Sequence, residues 1–195
     1  MKRFMIIGVL LVLGDLATAQ NDFLNGYVVL NTGDTLYGLV KDRKDGINPK
    51  LLDRIIFKGD RGRQKFRPDQ LLAYHRGGSN FHSVPFSVGT DLLGISRIKI
   101  GPRHFLKVYI HDYMSLYMDE YVDDSGPSYD GNFYLIREDE LQFVQASILF
   151  FRKRMVPYFE DAPHIAKAIE DKDYKYRDII TIITEYNNWI RSGSR

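Results

Sequence analysis

This sequence predicts an α+β fold, in which an N-terminal antiparallel curved β-sheet or half-barrel is followed by a C-terminal three-helix segment. Three observations carry that expectation. From about residue 25 to residue 143 the apolar residues come in short runs rich in Val, Ile, Tyr and Phe, parted by Gly, Asp, Asn and Pro, which is strand-and-turn patterning. Beyond residue 143 the apolar period lengthens to that of helices. Strands first and helices second is the order of an α+β domain, not of an alternating α/β sheet. The composition agrees: 195 residues, 44% hydrophobic and 27% charged, exclude a disordered or collagen-like chain and suit a single packed domain.

The first segment reads as an address. Met1-Lys2-Arg3 is a basic start, residues 4–13 are unbroken apolar sequence, and Ala17-Thr18-Ala19 has the small-x-small form of a signal-peptidase site. Residues 1–19 are therefore expected to be a cleaved signal peptide. The apolar run stops at Gly14-Asp15, short of the roughly 20 residues that span a bilayer, so no transmembrane anchor is expected after cleavage. With no Cys in the chain, lipid attachment and disulfides are excluded, and stability in an oxidising compartment must come from packing. The expected location is periplasmic, outer-membrane-associated or extracellular.

The β-rich part is expected over residues 20–145. Gly26-Tyr27-Val28-Val29-Leu30 runs into Asn31-Thr32-Gly33-Asp34 and out through Thr35 to Val40, a β-hairpin with Gly33 suited to a positive φ. Short strands follow at 54–58, 64–67, 71–74 and 81–88, then a clear pair at 104–111 and 113–121, a polar loop at 123–131, and one more strand at 132–137. Alternation places Leu106, Val108 and Ile110 with Met114, Leu116 and Met118 toward the core. The opposite side then carries Phe105, Lys107 and Tyr109 with Tyr113, Tyr117 and Tyr121, an aromatic face where a solvated sheet is ordinarily charged.

Residues 146–191 are expected to be helices packed on the sheet as part of the same domain, with a flexible tail at 192–195. Ile148, Phe151, Met155, Val156 and Phe159 form one stripe, broken by Pro157. Asp161 is placed to cap a second helix that carries Pro163 in its first turn. A third runs from about Tyr176 to Ile190, with Ile179, Ile183, Tyr186 and Ile190 along one side. These stripes need an apolar partner, and the aromatic sheet face is the expected one.

The search for chemistry is mostly negative. No Gly-x-Ser-x-Gly, Gly-x4-Gly-Lys, Gly-x-Gly-x-x-Gly or His-Glu-x-x-His occurs, and thiol chemistry is absent with Cys. His75 and His82 are an odd offset apart, as are His104 and His111, so neither pair shares a strand face; a long-range cluster of His82, His104 and His111 with Asp112 is the remaining metal arrangement, and no metal or cofactor is expected. The acidic stretch 119–126 lacks the order and closing Glu of a calcium loop and reads as a solvated turn. It also holds Glu120 and Asp124, a carboxylate pair of the kind glycoside hydrolysis uses.

The formal net charge is only +2, too small a field to hold nucleic acid, and none is expected as a partner. Basic patches stand at 58–67, with Arg61, Arg63, Lys65 and Arg67, and at Arg152-Lys153-Arg154. They read as solvated charge, with an anionic glycan, a lipopolysaccharide or an acidic protein surface as the alternative target. Tyr109, Tyr113, Tyr117 and Tyr121 are candidate binding residues if that face is open, and core residues if the helices cover it.

Gly26-Tyr27-Val28-Val29 with Gly33-Asp34-Thr35-Leu36-Tyr37-Gly38, and later Phe150-Phe151, Tyr158-Phe159-Glu160-Asp161, Tyr174-Lys175-Tyr176 and Glu185-Tyr186-Asn187, resemble an uncharacterised exported protein family of Bacteroidota. The resemblance implies a β-rich front, a helical end and an envelope or extracellular location, with no catalytic residues to carry over; Ala162 stands where such proteins often have Cys. The expected function is that of a non-catalytic exported envelope module for protein or surface-glycan interaction. A carboxylate-dependent hydrolase is the alternative, as is a half-barrel holding a small apolar ligand against Met114, Leu116 and Met118.

Overall fold

The computed structural model describes residues 23–42, 54–90, 96–123, 126–138, 140 and 144–193, with backbone alone at 86–90, 96–100, 120–123 and 126–132. One antiparallel ten-stranded sheet runs β10-β9-β8-β7-β6-β5-β1-β2-β3-β4. Its strands are β1 (Leu24–Leu30), β2 (Thr35–Lys41), β3 (Ile55–Gly59), β4 (Gly62–Phe66), β5 (Leu71–Arg76), β6 (Ser79–Thr90), β7 (Ser96–Ile110), β8 (Met114–Asp123), β9 (Gly126–Arg137) and β10 (Val144–Ala146). The helices α1 (Phe151–Tyr158), α2 (Pro163–Glu170) and α3 (Ile179–Arg191) follow, α3 after a 3-10 turn at Tyr176–Asp178. The α+β class and the sheet-then-helix order are those the sequence predicts. Residues 1–19, expected to be a signal peptide, and Asp124 lie outside the described residues.

Every neighbouring pair in the sheet is consecutive in sequence except β1 with β5. The chain reaches β5 from the edge strand β4 through a 3-10 turn at Pro68–Gln70. Five Cα steps from Phe66 to Leu71 cover at most about 18 Å, while four flat inter-strand spacings would need about 19 Å. The sheet must therefore curl there, and β1 to β5 form a half-barrel. Its concave side is filled by Val28, Val40, Ile55, Phe57, Leu71 and Tyr74, extended by Phe81 and Phe105 from β6 and β7. Tyr74 stacks on Phe81 at 4.4 Å and meets Phe105 edge-on at 4.9 Å, and its hydroxyl donates to the buried Asp42 carboxylate at 2.6 Å.

Gly38 is required by this curl. A Cβ there would stand 2.4 Å from the Lys58 carbonyl oxygen and 2.9 Å from the Phe57 ring, so the ring lies where a side chain would be. The β5–β6 turn uses Gly77 and Gly78, both at positive φ (53° and 88°), the conformation of a tight two-residue hairpin turn.

One extra residue in β7 corrects the expected faces. Lys107 pairs with Met118 and Val108 with Tyr117, but Ile110 pairs with Leu116, so Tyr109 is bulged out of register. A one-residue slip exchanges the faces. Met114, Leu116 and Ile110 therefore share a side with Tyr109 and Met118, whereas Leu106 and Val108 share the other with Tyr117. The helices lie on the first side: Met114, Leu116, Leu135 and Ala146 pack against Phe151, Met155, Phe159, Ile165, Ile169, Ile179, Ile182, Ile183 and Tyr186. The aromatic Tyr117 side is instead closed by Leu106 and Tyr134, with Val84, Val108 and Ile136. The expectation that the helices cover the aromatic face gives way to this arrangement.

Smaller corrections follow from local geometry. Residues 126–131, expected in a loop, begin β9, and β10 at Val144–Ala146 pairs with β9, carrying the sheet to the boundary expected at residue 145. Ile148 leaves the helix stripe because α1 starts at Phe151. Ala162, not Asp161, occupies the N-cap of α2 and makes no side-chain cap bond.

Asn187 joins α3 to the sheet where β7 has ended. Its Nδ2 donates to the Met114 carbonyl at 2.9 Å and its Oδ1 accepts from the Met114 N–H at 2.8 Å, so a side-chain amide supplies both bonds of a missing strand. Replacing it strands two buried backbone groups. Asn187→Ala is expected to cost about 2–4 kcal/mol, read as a lower urea midpoint with unchanged slope.

Candidate functional site

An opening at the half-barrel lies between the β1–β2 and β3–β4 turns and encloses about 750 Å³. Leu30, Leu36, Phe57 and Phe66 form its apolar floor; Asp34, Thr35, Tyr37, Asp60, Arg61 and Gln64 stand around it. The turn that carries Asp34 is fixed by its own bonds. Thr32 Oγ1 donates to Asp34 Oδ2 at 2.8 Å, the Leu30 and Asp34 backbones pair at 2.9 Å, and Asn31 Nδ2 reaches the Asp69 carbonyl at 2.7 Å.

The convex side beside this opening is aromatic and basic. Tyr27 and Tyr37 are cross-strand partners with ring centroids 5.8 Å apart, and Tyr27 stacks flat on His75 of β5 at 5.2 Å. Tyr37 is 76% exposed. The register places Lys58 opposite both Leu39 and Arg63, and Ile56 opposite Lys65, so Lys58, Arg63 and Lys65 project from the same side as the tyrosines. Arg63 lies over the Phe23 ring at 5.6 Å. Arg61, Arg63, Lys65 and Arg67 are all exposed. Arg67 is bound to Asp69 through two bonds of 3.1 and 3.2 Å, and this partner holds the Asp69 carboxyl below the ordinary range. The free positive surface therefore centres on Arg61, Arg63 and Lys65.

The four tyrosines singled out by periodicity do not assemble into one platform. Tyr109 is half-buried, edge-on to Phe133 at 5.2 Å with the Lys107 ammonium 5.3 Å from its ring centre. Tyr113 is half-buried against Tyr186 of α3. Tyr117 is buried on the opposite side of the sheet, and burial pushes its hydroxyl pKa up. The Tyr121 side chain lies outside the described residues, as does that of Glu120. Met114, Leu116 and Met118 are packed beneath helices and aromatic rings, so a small apolar ligand has no room there.

Two of the histidines do meet. The rings of His82 and His111 are 4.8 Å apart and perpendicular, His82 Nδ1 is 3.2 Å from the Tyr117 hydroxyl, and His111 Nδ1 is 3.3 Å from Ser115 Oγ. Among the described residues no group of three or more His, Asp or Glu is placed to hold a metal ion. Burial first, and the neighbouring His111 second, keep the His82 pKa below the ordinary histidine range.

Periodicity gave no sign of the strongest polar cluster, which surrounds Arg137 at the end of β9. Its Nε donates to the Tyr186 hydroxyl at 3.0 Å, Nη1 to Glu140 at 3.1 Å, and Nη2 to the Tyr158 carbonyl at 2.5 Å and to Asp161 at 3.1 Å. Tyr158 donates to Glu140 at 2.7 Å and Tyr186 to Asp161 at 2.5 Å. Burial pushes both phenols up, Tyr186 to about 12, with hydrogen bonds to the carboxylates adding to it. Four bonds of the Arg137 side chain, and both tyrosine hydroxyls, are used within the cluster, which marks a structural joint. In the sequence these residues stand out only through the Tyr158 to Asp161 and Glu185 to Asn187 segments that carry the resemblance.

No family model, curated protein or solved structure matches this chain.

Two measurements follow. Since the fold binds a proton at His82 less well than the unfolded chain does, this residue's contribution to stability is complete above about pH 6.5 and is lost as pH falls through its folded pKa. His82→Gln is expected to flatten that part of the stability profile between neutral and mildly acidic pH, measured by urea unfolding. Arg137→Met leaves two carboxylates without their cation and is expected to cost about 3 kcal/mol, below the full penalty of a buried pair because Asp161 is partly solvated.

Proposed function

We propose that this protein is a non-catalytic, exported module of the cell envelope that binds an anionic surface glycan or an acidic protein segment. The single observation that carries the reading is the exposed Tyr37, tilted against the Tyr27 ring that stacks on His75, on the same side as Lys58, Arg63 and Lys65 and at the rim of an apolar-floored opening. Tyrosine offers a rigid apolar face with a polar tip, suited to a sugar ring or a peptide plane. The adjacent cations suit carboxylate, sulfate or phosphate groups. The basic N-terminus, apolar run and small-x-small site of residues 1–19 support export, and the resemblance to exported proteins of Bacteroidota supports an envelope location.

The hydrolase reading has one observation in its favour, since Asp34 and Asp60 both line the opening. Against it, both stand exposed on turns, whereas glycoside chemistry needs one carboxyl in a shielded, apolar setting.

Binding to arrays of uronate-bearing, sulfated and neutral glycans, together with capture from envelope extracts, tests the proposal. Tyr37→Ala and Arg63→Glu, both at exposed positions, are each expected to weaken anionic ligand binding roughly ten-fold without altering thermal stability. Equal capture by the native chain and both variants would sink the reading. Glycosidase activity lost in Asp34→Asn or Asp60→Asn would replace it with the hydrolase.

A further inference from the structure

The large apolar residues exposed elsewhere on the described surface stand apart in sequence: Leu24, Tyr37, Leu72 and Ile180. Single exposures of that kind are ordinary. The turn between β10 and α1 differs, because Ile148, Leu149 and Phe150 are consecutive and stand 61%, 85% and 48% exposed. The next residues are Phe151, which is buried, and then the exposed Arg152 and Lys153.

This apolar tip has a rigid base. The Arg154 N–H donates to the Phe150 carbonyl at 3.0 Å, and Arg154 Nη1 donates to Gln145 Oε1 of β10 at 3.0 Å. The Arg154 guanidinium lies 5.8 Å from the Phe150 ring centre. Below, Phe151, Met155 and Phe159 anchor α1 in the core under the sheet. The tip therefore cannot bury its side chains by folding back on α1, whose inward stripe is already occupied.

We propose that the 148–150 turn inserts into the surface of an anionic lipid bilayer, with Arg152 and Lys153 engaging lipid phosphates. The occupant follows from the chemistry of the turn. A short projecting apolar tip with cations immediately behind it matches the layered profile of a bilayer surface, acyl chain beneath anionic headgroup. The contact proposed is peripheral, made by three residues of one turn. It uses the β10 edge of the sheet, opposite the β4 edge beside the ligand opening, and so is independent of the proposed glycan or protein site.

Flotation of the full chain with vesicles of equal parts phosphatidylglycerol and phosphatidylcholine, and with phosphatidylcholine alone, tests this. The apolar run at residues 4–13 is common to all forms, so the comparison reads only the turn. Ile148→Ser with Leu149→Ser is expected to reduce binding to the anionic vesicles by at least about ten-fold. Arg152→Glu with Lys153→Glu is expected to weaken it roughly five-fold per residue and to lessen its salt dependence. All four positions are exposed, so unfolding midpoints should hold, and Tyr37→Ala should float as the native chain does. Variants that float like the native chain overturn the proposal, as does binding indifferent to phosphatidylglycerol. A native dimer that the Ile148→Ser and Leu149→Ser changes dissolve overturns it as well, by assigning the turn to a second copy.

Discussion

The Arg137 guanidinium is the point at which the helical layer is tied to the sheet. From the last residue of β9 it reaches the C-terminal carbonyl of α1, the Asp161 that precedes α2 and the Tyr186 of α3. One planar cation with several donors in fixed directions satisfies groups from α1, from the segment before α2 and from α3 at once, which a lysine would not do. The aromatic rings of Tyr158 and Tyr186 lie 4.1 and 5.3 Å from its charge, close enough for cation–π attraction. Orientation of the helices over Met114, Leu116 and Leu135 follows from that joint together with the Asn187 clip to Met114.

Once the helices are seated, the sheet divides by function. The β8–β10 part is committed to supporting them, and its aromatic residues are consumed in packing. The β1–β4 part has no helix over its opening among the described residues, and it is there that aromatic rings and cations remain exposed. Gly38 shapes this end, since the Phe57 ring occupies the space a side chain would take and so forms the floor of the opening.

Much of the fold was legible in the residues, and the limits have physical causes. Alternation and turn residues located the β1–β2 hairpin, and the lengthened period located α3, because each is a local pattern. The Tyr109 bulge was not legible: one additional residue leaves no mark in a period of two, yet it exchanges every partner beyond it. The aromatic ladder of Tyr37, Tyr27 and His75 was missed for a related reason, since it depends on β1 pairing with β5, and long-range register is not written in either strand alone. Of the site residues chosen from sequence, Arg61 lines the opening while Arg63 and Lys65 stand exposed on the convex side beside it, because an exposed hairpin of alternating charge declares its own surface. Asp161 had the right spacing for a helix cap, but the pull of Arg137 and Tyr186 outweighs a single bond to a backbone N–H.

The β1–β5 pairing also sets the order in which the chain can assemble. All other neighbouring strands are successive, so their contacts close short loops and can form early with little loss of chain entropy. β1 must instead wait for a strand separated from it by β2, β3 and β4. Until then two free edges, one on β1 and one on β5, face water with unpaired backbone groups. The half-barrel that carries the proposed binding surface is thus the last part of the sheet to become continuous, and the step most exposed to mispairing between chains.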